Sequence, residues 1–176
     1  MERHARPVRT ATKSVTTMTQ ATWGLLLSLL ALAPLSGCAA DDTNTTTTDL
    51  RCAEETRALP YTPGMSVDST DGIWSLTLID ASPAPPDKGN NDWLVELEAT
   101  GSTTPVDGAT MTVQEFMPDH GHGAPPPPPL VTPTADPGRY TIENINLWMP
   151  GYWEVRIDVD SDSTTDRVIF PFCIEG

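Results

Sequence analysis

From about residue 70 onward, apolar and polar side chains alternate with a period of two, in short runs broken by proline, glycine and asparagine. The clearest run is "GYWEVRIDVD", Gly151 to Asp160, where Trp153, Val155, Ile157 and Val159 fall on one face and Glu154, Arg156, Asp158 and Asp160 on the other. "DWLVELEAT" repeats the pattern with Trp93, Val95, Leu97 and Ala99 against Glu96 and Glu98, and "ATMTVQEF" sets Ala109, Met111 and Val113 on one side. Such alternation belongs to strands with one buried face. "IWSLTLID", "LVTPT", "RYTIENIN" and "RVIFPFC" bring the count to about seven strands, and no long segment carries helical periodicity with capping signals. The pattern predicts an all-β fold, an immunoglobulin-like antiparallel β-sandwich of about seven strands.

Strand direction then locates two Met-Pro pairs. If "ATMTVQEF" points up, the next three strands point down, up and down, so Met117 and Met149 fall at the same upper end. In an immunoglobulin-type order the third and sixth of seven strands are antiparallel neighbours, which brings the residues beyond them close together. The segment after the first strand, "MPDHGHGAPPPPP", adds His120 and His122. Met117, His120, His122 and Met149 therefore form a candidate metal-ligand set. Thioether sulfur is soft and suits Cu(I), while imidazole accepts either copper oxidation state, so copper is the metal this set fits. Gly121 and Gly123 permit a sharp turn, and Pro125 to Pro129 stiffen the arm in polyproline II geometry. The competing reading is a glycine-rich connection in which Met117 caps the core and the histidines are solvated. The same rim, with Trp148, Met149, Pro150 and Tyr152, also reads as a metal-free surface for docking a protein partner, and the prolines as a segment that an aromatic groove would hold.

The N-terminal third reads differently. Arg3, Arg6, Arg9 and Lys13 precede the apolar run "WGLLLSLLALA" and then "LSGC", Leu35 to Cys38. This order reads as a secretory signal over residues 1–37. "LSGC" resembles the lipobox of bacterial lipoproteins, which makes Cys38 the lipidated first mature residue. An uncleaved anchor with an unmodified Cys38 is the alternative. Residues 39–49, "AADDTNTTTTD", have no apolar group large enough for a core, and residues 38–51 read as a lipidated, disordered tether. Residues 52–176 are then one small domain, held at the bacterial cell envelope through the lipid. Ala39, where an aspartate would retain a lipoprotein in the inner membrane, leans the expectation towards the outer one.

Removing residues 1–37 takes away four of the ten basic residues and one of the 24 acids, leaving 23 acids against six bases, a formal charge of −17. Nucleic acid is excluded as a partner by that sign, and attachment to an anionic membrane falls to the lipid. Of the three cysteines, Cys52 and Cys173 remain, and in an oxidising compartment they read as a disulfide. A metal-ligand or redox-thiol role competes but lacks a Cys-x-x-Cys spacing. "DVDSDSTTD", Asp158 to Asp166, departs from a calcium loop at Ser163 and Ile169, where glycine and glutamate are needed, and reads as a hairpin. The two histidines of the mature chain lie in one loop with no nucleophile beside them, so no enzyme is expected.

"PVDGATMTVQEFMPDHGHG" followed by "GRYTIENINLWMPGYWEVRIDV" resembles the YtkA-like domain, related to FixH-like proteins. The telling elements are the Pro-x-Asp-Gly-Ala turn at Pro105 to Ala109, the first Met-Pro with a nearby His-Gly, the Gly-Arg-Tyr, and the second Met-Pro-Gly-x-Trp. The resemblance implies a small, membrane-tethered extracytoplasmic β-domain, in part of the family associated with cytochrome oxidase assembly or copper handling. It carries the ligand expectation onto Met117 and Met149. Where this chain has His120, family members often have a second methionine, and more imidazole favours Cu(II) relative to an all-thioether site.

Overall fold

The computed structural model describes residues 52–176. The signal segment, Cys38 and the tether lie outside the described residues. After a short 3-10 turn, Cys52–Glu54, come nine strands: β1 Met65–Asp68, β2 Trp74–Ser82, β3 Gly89–Ala99, β4 Thr110–Met117, β5 His122–Gly123, β6 Leu130–Pro133, β7 Arg139–Leu147, β8 Gly151–Ser161 and β9 Thr164–Ile174. They form two sheets, in the orders β1-β2-β3-β7-β6 and β5-β4-β8-β9, with every neighbouring pair antiparallel. Set aside the short β1 and β5, and this is the immunoglobulin-type division of seven strands expected above. The two extra strands are edge strands, β1 of four residues and β5 of two, too short for alternation to reveal. Among the described residues no helix is long and apolar enough to cross a membrane.

Alternation becomes burial as the pattern requires. Trp153, Val155, Ile157 and Val159 of β8 are buried, as are Trp93, Val95 and Leu97 of β3, and these inner faces meet in one core. Burial of apolar surface contributes roughly 25 cal/mol per Å² and is the main term holding the sheets together. Alternation fails in one informative place. In β7 both Ile142 and Ile145 are buried although they are three apart, because the β3–β7 register shifts between Asn91 and Trp93 and Asn144 adopts a left-handed φ of 64°. Asp92 Oδ1 accepts the Asn144 N–H at 2.9 Å, fixing this bulge. The β8–β9 hairpin turns on Asp162 and Ser163, both at positive φ, as a two-residue turn requires. Its carboxylates are separately engaged: Asp158 with Arg167, Asp160 with the Thr165 hydroxyl, Asp166 with the backbone of Asp71, Ile73 and Arg167. They do not converge as a calcium cage would.

Cys52 and Cys173 are joined in a disulfide across 121 residues of sequence, tying the start of the domain to β9. Closing so long a loop restricts the unfolded chain far more than the folded one. The double variant Cys52→Ala, Cys173→Ala is expected to lose about 2–5 kcal/mol in urea unfolding relative to the oxidised protein. An unchanged midpoint would show that the unfolded chain is already confined without the bond.

Candidate functional site

The rim is built at the upper ends of β4, β7 and β8. The β4–β8 ladder runs from Thr110↔Asp160 to Phe116↔Glu154, so the neighbours expected from strand parity are neighbours in fact. After Met117 the chain turns back at once: the His120 and Gly121 N–H groups donate to the Met117 carbonyl at 3.2 and 2.9 Å, and Gly121 takes a φ of 68°. His122 then pairs with Met117, and Gly123 with Phe116. Gly123 lies so close to β4 that a Cβ there would stand 2.7 Å from the Glu115 carbonyl oxygen, which requires glycine at this position.

Two imidazoles and an indole follow one another around this turn. The rings of His120 and His122 are 5.6 Å apart, and the His122 ring is 5.7 Å from that of Trp148, tilted by 30°. His122 Nδ1 lies 3.0 Å from the Gly123 carbonyl oxygen. In the neutral tautomer that donates from Nδ1 to this carbonyl, the lone pair is on Nε2, the form in which imidazole ligates a metal. His122, Gly123, Ala124, Pro125 and Trp148 line an open hollow at the edge of the sandwich.

The two methionines sit differently. Met117 is fully buried in the core, as its position on the inner face of β4 dictates, and Met149 is partly buried against that core. The Met149 carbonyl accepts the indole N–H of Trp153 at 2.8 Å, which pins the turn carrying Trp148. Among the described residues no three His, Cys, Asp or Glu side chains gather as a metal cage, so an ion at this rim would need thioether donors beside the imidazoles.

Charged groups brace the rim from both sides. Arg57 donates to both carboxylate oxygens of Asp119 at 2.7 Å and to Glu55, and lies 4.1 Å over the Tyr152 ring. The guanidinium hydrogen bonds hold the Asp119 carboxyl below its ordinary value. On the inner side, Glu115 is only 5% exposed, and its Oε1 accepts the Asn146 N–H at 2.7 Å, a bond from one sheet to the other. Burial raises the Glu115 carboxyl above its ordinary value, with the Asn146 hydrogen bond acting in the opposite direction. Sequence reading passed over Glu115 and Arg57. The parity Met111, Val113, Met117 points Glu115 inward and was the available signal, whereas nothing local marks Arg57.

The remaining motif residues form a second interlocked cluster. Gly138 N–H donates to Asp107 Oδ1 at 2.6 Å, Tyr140 Oη donates to the Val106 carbonyl and accepts from Ala109 N–H, and a Cβ on Gly138 would meet Pro105 Cβ at 2.6 Å. The Pro-x-Asp-Gly-Ala turn and the Gly-Arg-Tyr start of β7 therefore require each other.

These features define a small antiparallel β-sandwich of immunoglobulin-type strand order with an aromatic and imidazole rim. The YtkA-like family model matches residues 69–158, and the chain belongs to that family. A search of curated proteins and a search of solved structures each found no match.

An acid whose native form holds its proton more tightly than the unfolded chain loses stability as pH rises from its ordinary value, 4.5 for Glu115, through the raised one. Glu115→Gln keeps an acceptor for Asn146 and removes the buried charge. The variant is expected to gain stability relative to the native protein as pH rises from about 4 to 7, read from urea midpoints. A difference that stays constant across that range would show that Glu115 does not titrate with folding.

Proposed function

We propose that the protein is a lipid-anchored, extracytoplasmic binding module of the bacterial cell envelope that holds or delivers copper at its rim, and that it is not an enzyme. The observation that carries this reading is the pairing of two imidazoles in one turn, 5.6 Å apart, with His122 Nδ1 turned to the Gly123 carbonyl. Met117, buried in the core, and Met149, partly buried against it, are the soft donors of this reading. Attachment rests on Cys38, on the periplasmic or outer-membrane face, with no role for nucleic acid in so acidic a chain.

A second reading is a metal-free protein-interaction or assembly module. It is favoured by Trp148 and Leu130, large apolar side chains 45% and 57% exposed. The variant His120→Ala, His122→Ala separates the two. Lost copper uptake with an unchanged fold supports copper handling; unchanged copper content with lost retention of an envelope partner supports the interaction module. Cys38→Ser is expected to abolish lipid labelling and move the protein from the membrane fraction to the soluble one. Retention of the variant in membranes would point to an uncleaved apolar anchor.

A further inference from the structure

A second hollow, of about 620 Å³, shares no lining residue with the one beside Trp148 and lies between the first residues of the domain, the β2–β3 loop and the end of β9. Its walls are largely apolar. Leu59 and Tyr61 come from the first segment, Pro83 and Pro85 from the loop, and Phe172 and Cys173 from β9. Every charged side chain that lines it is a carboxylate: Glu55, Asp87 and Glu175. Glu55 is held by Arg57, whereas Asp87 and Glu175 are exposed and enter no ion pair among the described residues.

The main chain of β9 adds an independent feature. Strand parity turns the N–H and C=O of every second β9 residue away from β8, and on that side the Arg167 and Pro171 carbonyls accept from the Thr70 and Leu59 N–H groups, each at 2.8 Å. Cys173 has the same parity, and its N–H and C=O have no partner among the described residues. The strand edge that Leu59 covers at Pro171 is thus open one step further on, where Cys173 lines the hollow.

We propose that this hollow docks an extended segment of a protein partner that presents a lysine or arginine. The segment pairs its main chain with Cys173, and the basic side chain lies along the apolar walls with its head at Asp87 and Glu175. The site is independent of what the rim holds. Charge selects the occupant. A long basic side chain buries its aliphatic stem on apolar surface while its head stays in water, which matches apolar walls bordered by unpaired carboxylates. A second copy of this chain, with 23 acids against six bases after residue 37, is opposed by like charge. Strand addition at an open edge beside a pocket for one side chain is a general mode of peptide recognition. The fixed φ of Pro83 and Pro85 leaves the loop wall little freedom to lose on binding.

The test is titration of the isotope-labelled full-length chain, in a neutral detergent, with the peptide acetyl-Thr-Val-Lys-Val-Thr-amide and with its analogue carrying norleucine for lysine, read from backbone amide shifts. The lysine peptide is expected to shift Leu59, Asp87, Cys173 and Glu175 and to leave His122 and Trp148 unmoved. The norleucine peptide is expected to bind roughly 3- to 20-fold more weakly, as is the lysine peptide to an Asp87→Asn, Glu175→Gln chain. A Glu143→Gln, Asp162→Asn chain loses the same charge from two other exposed positions and should bind within about twofold of native. Equal weakening in the two double variants would overturn the proposal as general attraction to an acidic surface. Equal affinity for the two peptides would overturn it as well, and so would shifts confined to the rim or no shifts at millimolar peptide. Shifts of the same amides that follow protein concentration with no peptide present would give the hollow to a second copy instead. Binding that emerges only in an Arg51→Gln chain would give it to the residues just before Cys52.

Discussion

The two sheets are held face to face around Trp93, and the geometry of the rim depends on that contact. Its ring stands edge-on to Phe170 at 5.5 Å and to Phe172 at 5.8 Å, joining the middle of one sheet to the outer strand of the other. Burying an aromatic ring of this size contributes about 4–6 kcal/mol by area. The Trp93 indole N–H has no hydrogen-bond partner, which costs roughly 1–3 kcal/mol. Burial wins. The spacing set there is what allows Glu115 on β4 to reach the backbone of β7, a single hydrogen bond that requires the sheets to be neither closer nor further apart.

The turns that carried the resemblance in sequence are in large part those that make the ends of the sandwich. Asp107 with Gly138, and Tyr140 with Val106 and Ala109, close one region; Trp153 with Met149, and Gly123 against Glu115, shape the other. Each is needed for a backbone hydrogen bond or a close approach. Side chains with chemistry to offer are mounted on this frame: His120, His122 and Trp148 project from turns whose backbone is already fully determined. Replacing these rings would leave the turns in place, since none of the three carries a bond that closes the fold.

Strand parity carried much of this architecture in the sequence itself. β3 alternates in burial along its length and β8 from Trp153 onward, and the adjacency of β4 and β8 followed from counting strand directions. Other features depend on contacts that no local pattern encodes. β5 exists only because Met117 and the glycines fold the chain back onto β4, and the β7 bulge only because Asp92 on a neighbouring strand captures Asn144. Arg57 lies 62 positions from Asp119, and its pairing is a consequence of where the first residues of the domain settle. Met117 illustrates the limit within the candidate site. It stands at the end of β4, and its inward parity, which buries the thioether, matters as much as that position.

The order of attachments at the start of the domain has a mechanical meaning. Cys52 is bonded to β9, five residues before Arg57 takes hold of Asp119 beside His120. A pull on the N-terminal end is therefore stopped by a covalent bond into the β8–β9 hairpin, which shears along an eleven-residue ladder, before it reaches the ion pair. The histidine turn is shielded from tension as a connector is by a strain relief on its cable. Reduction of that one bond would shift the load onto Arg57 and, through it, onto the rim.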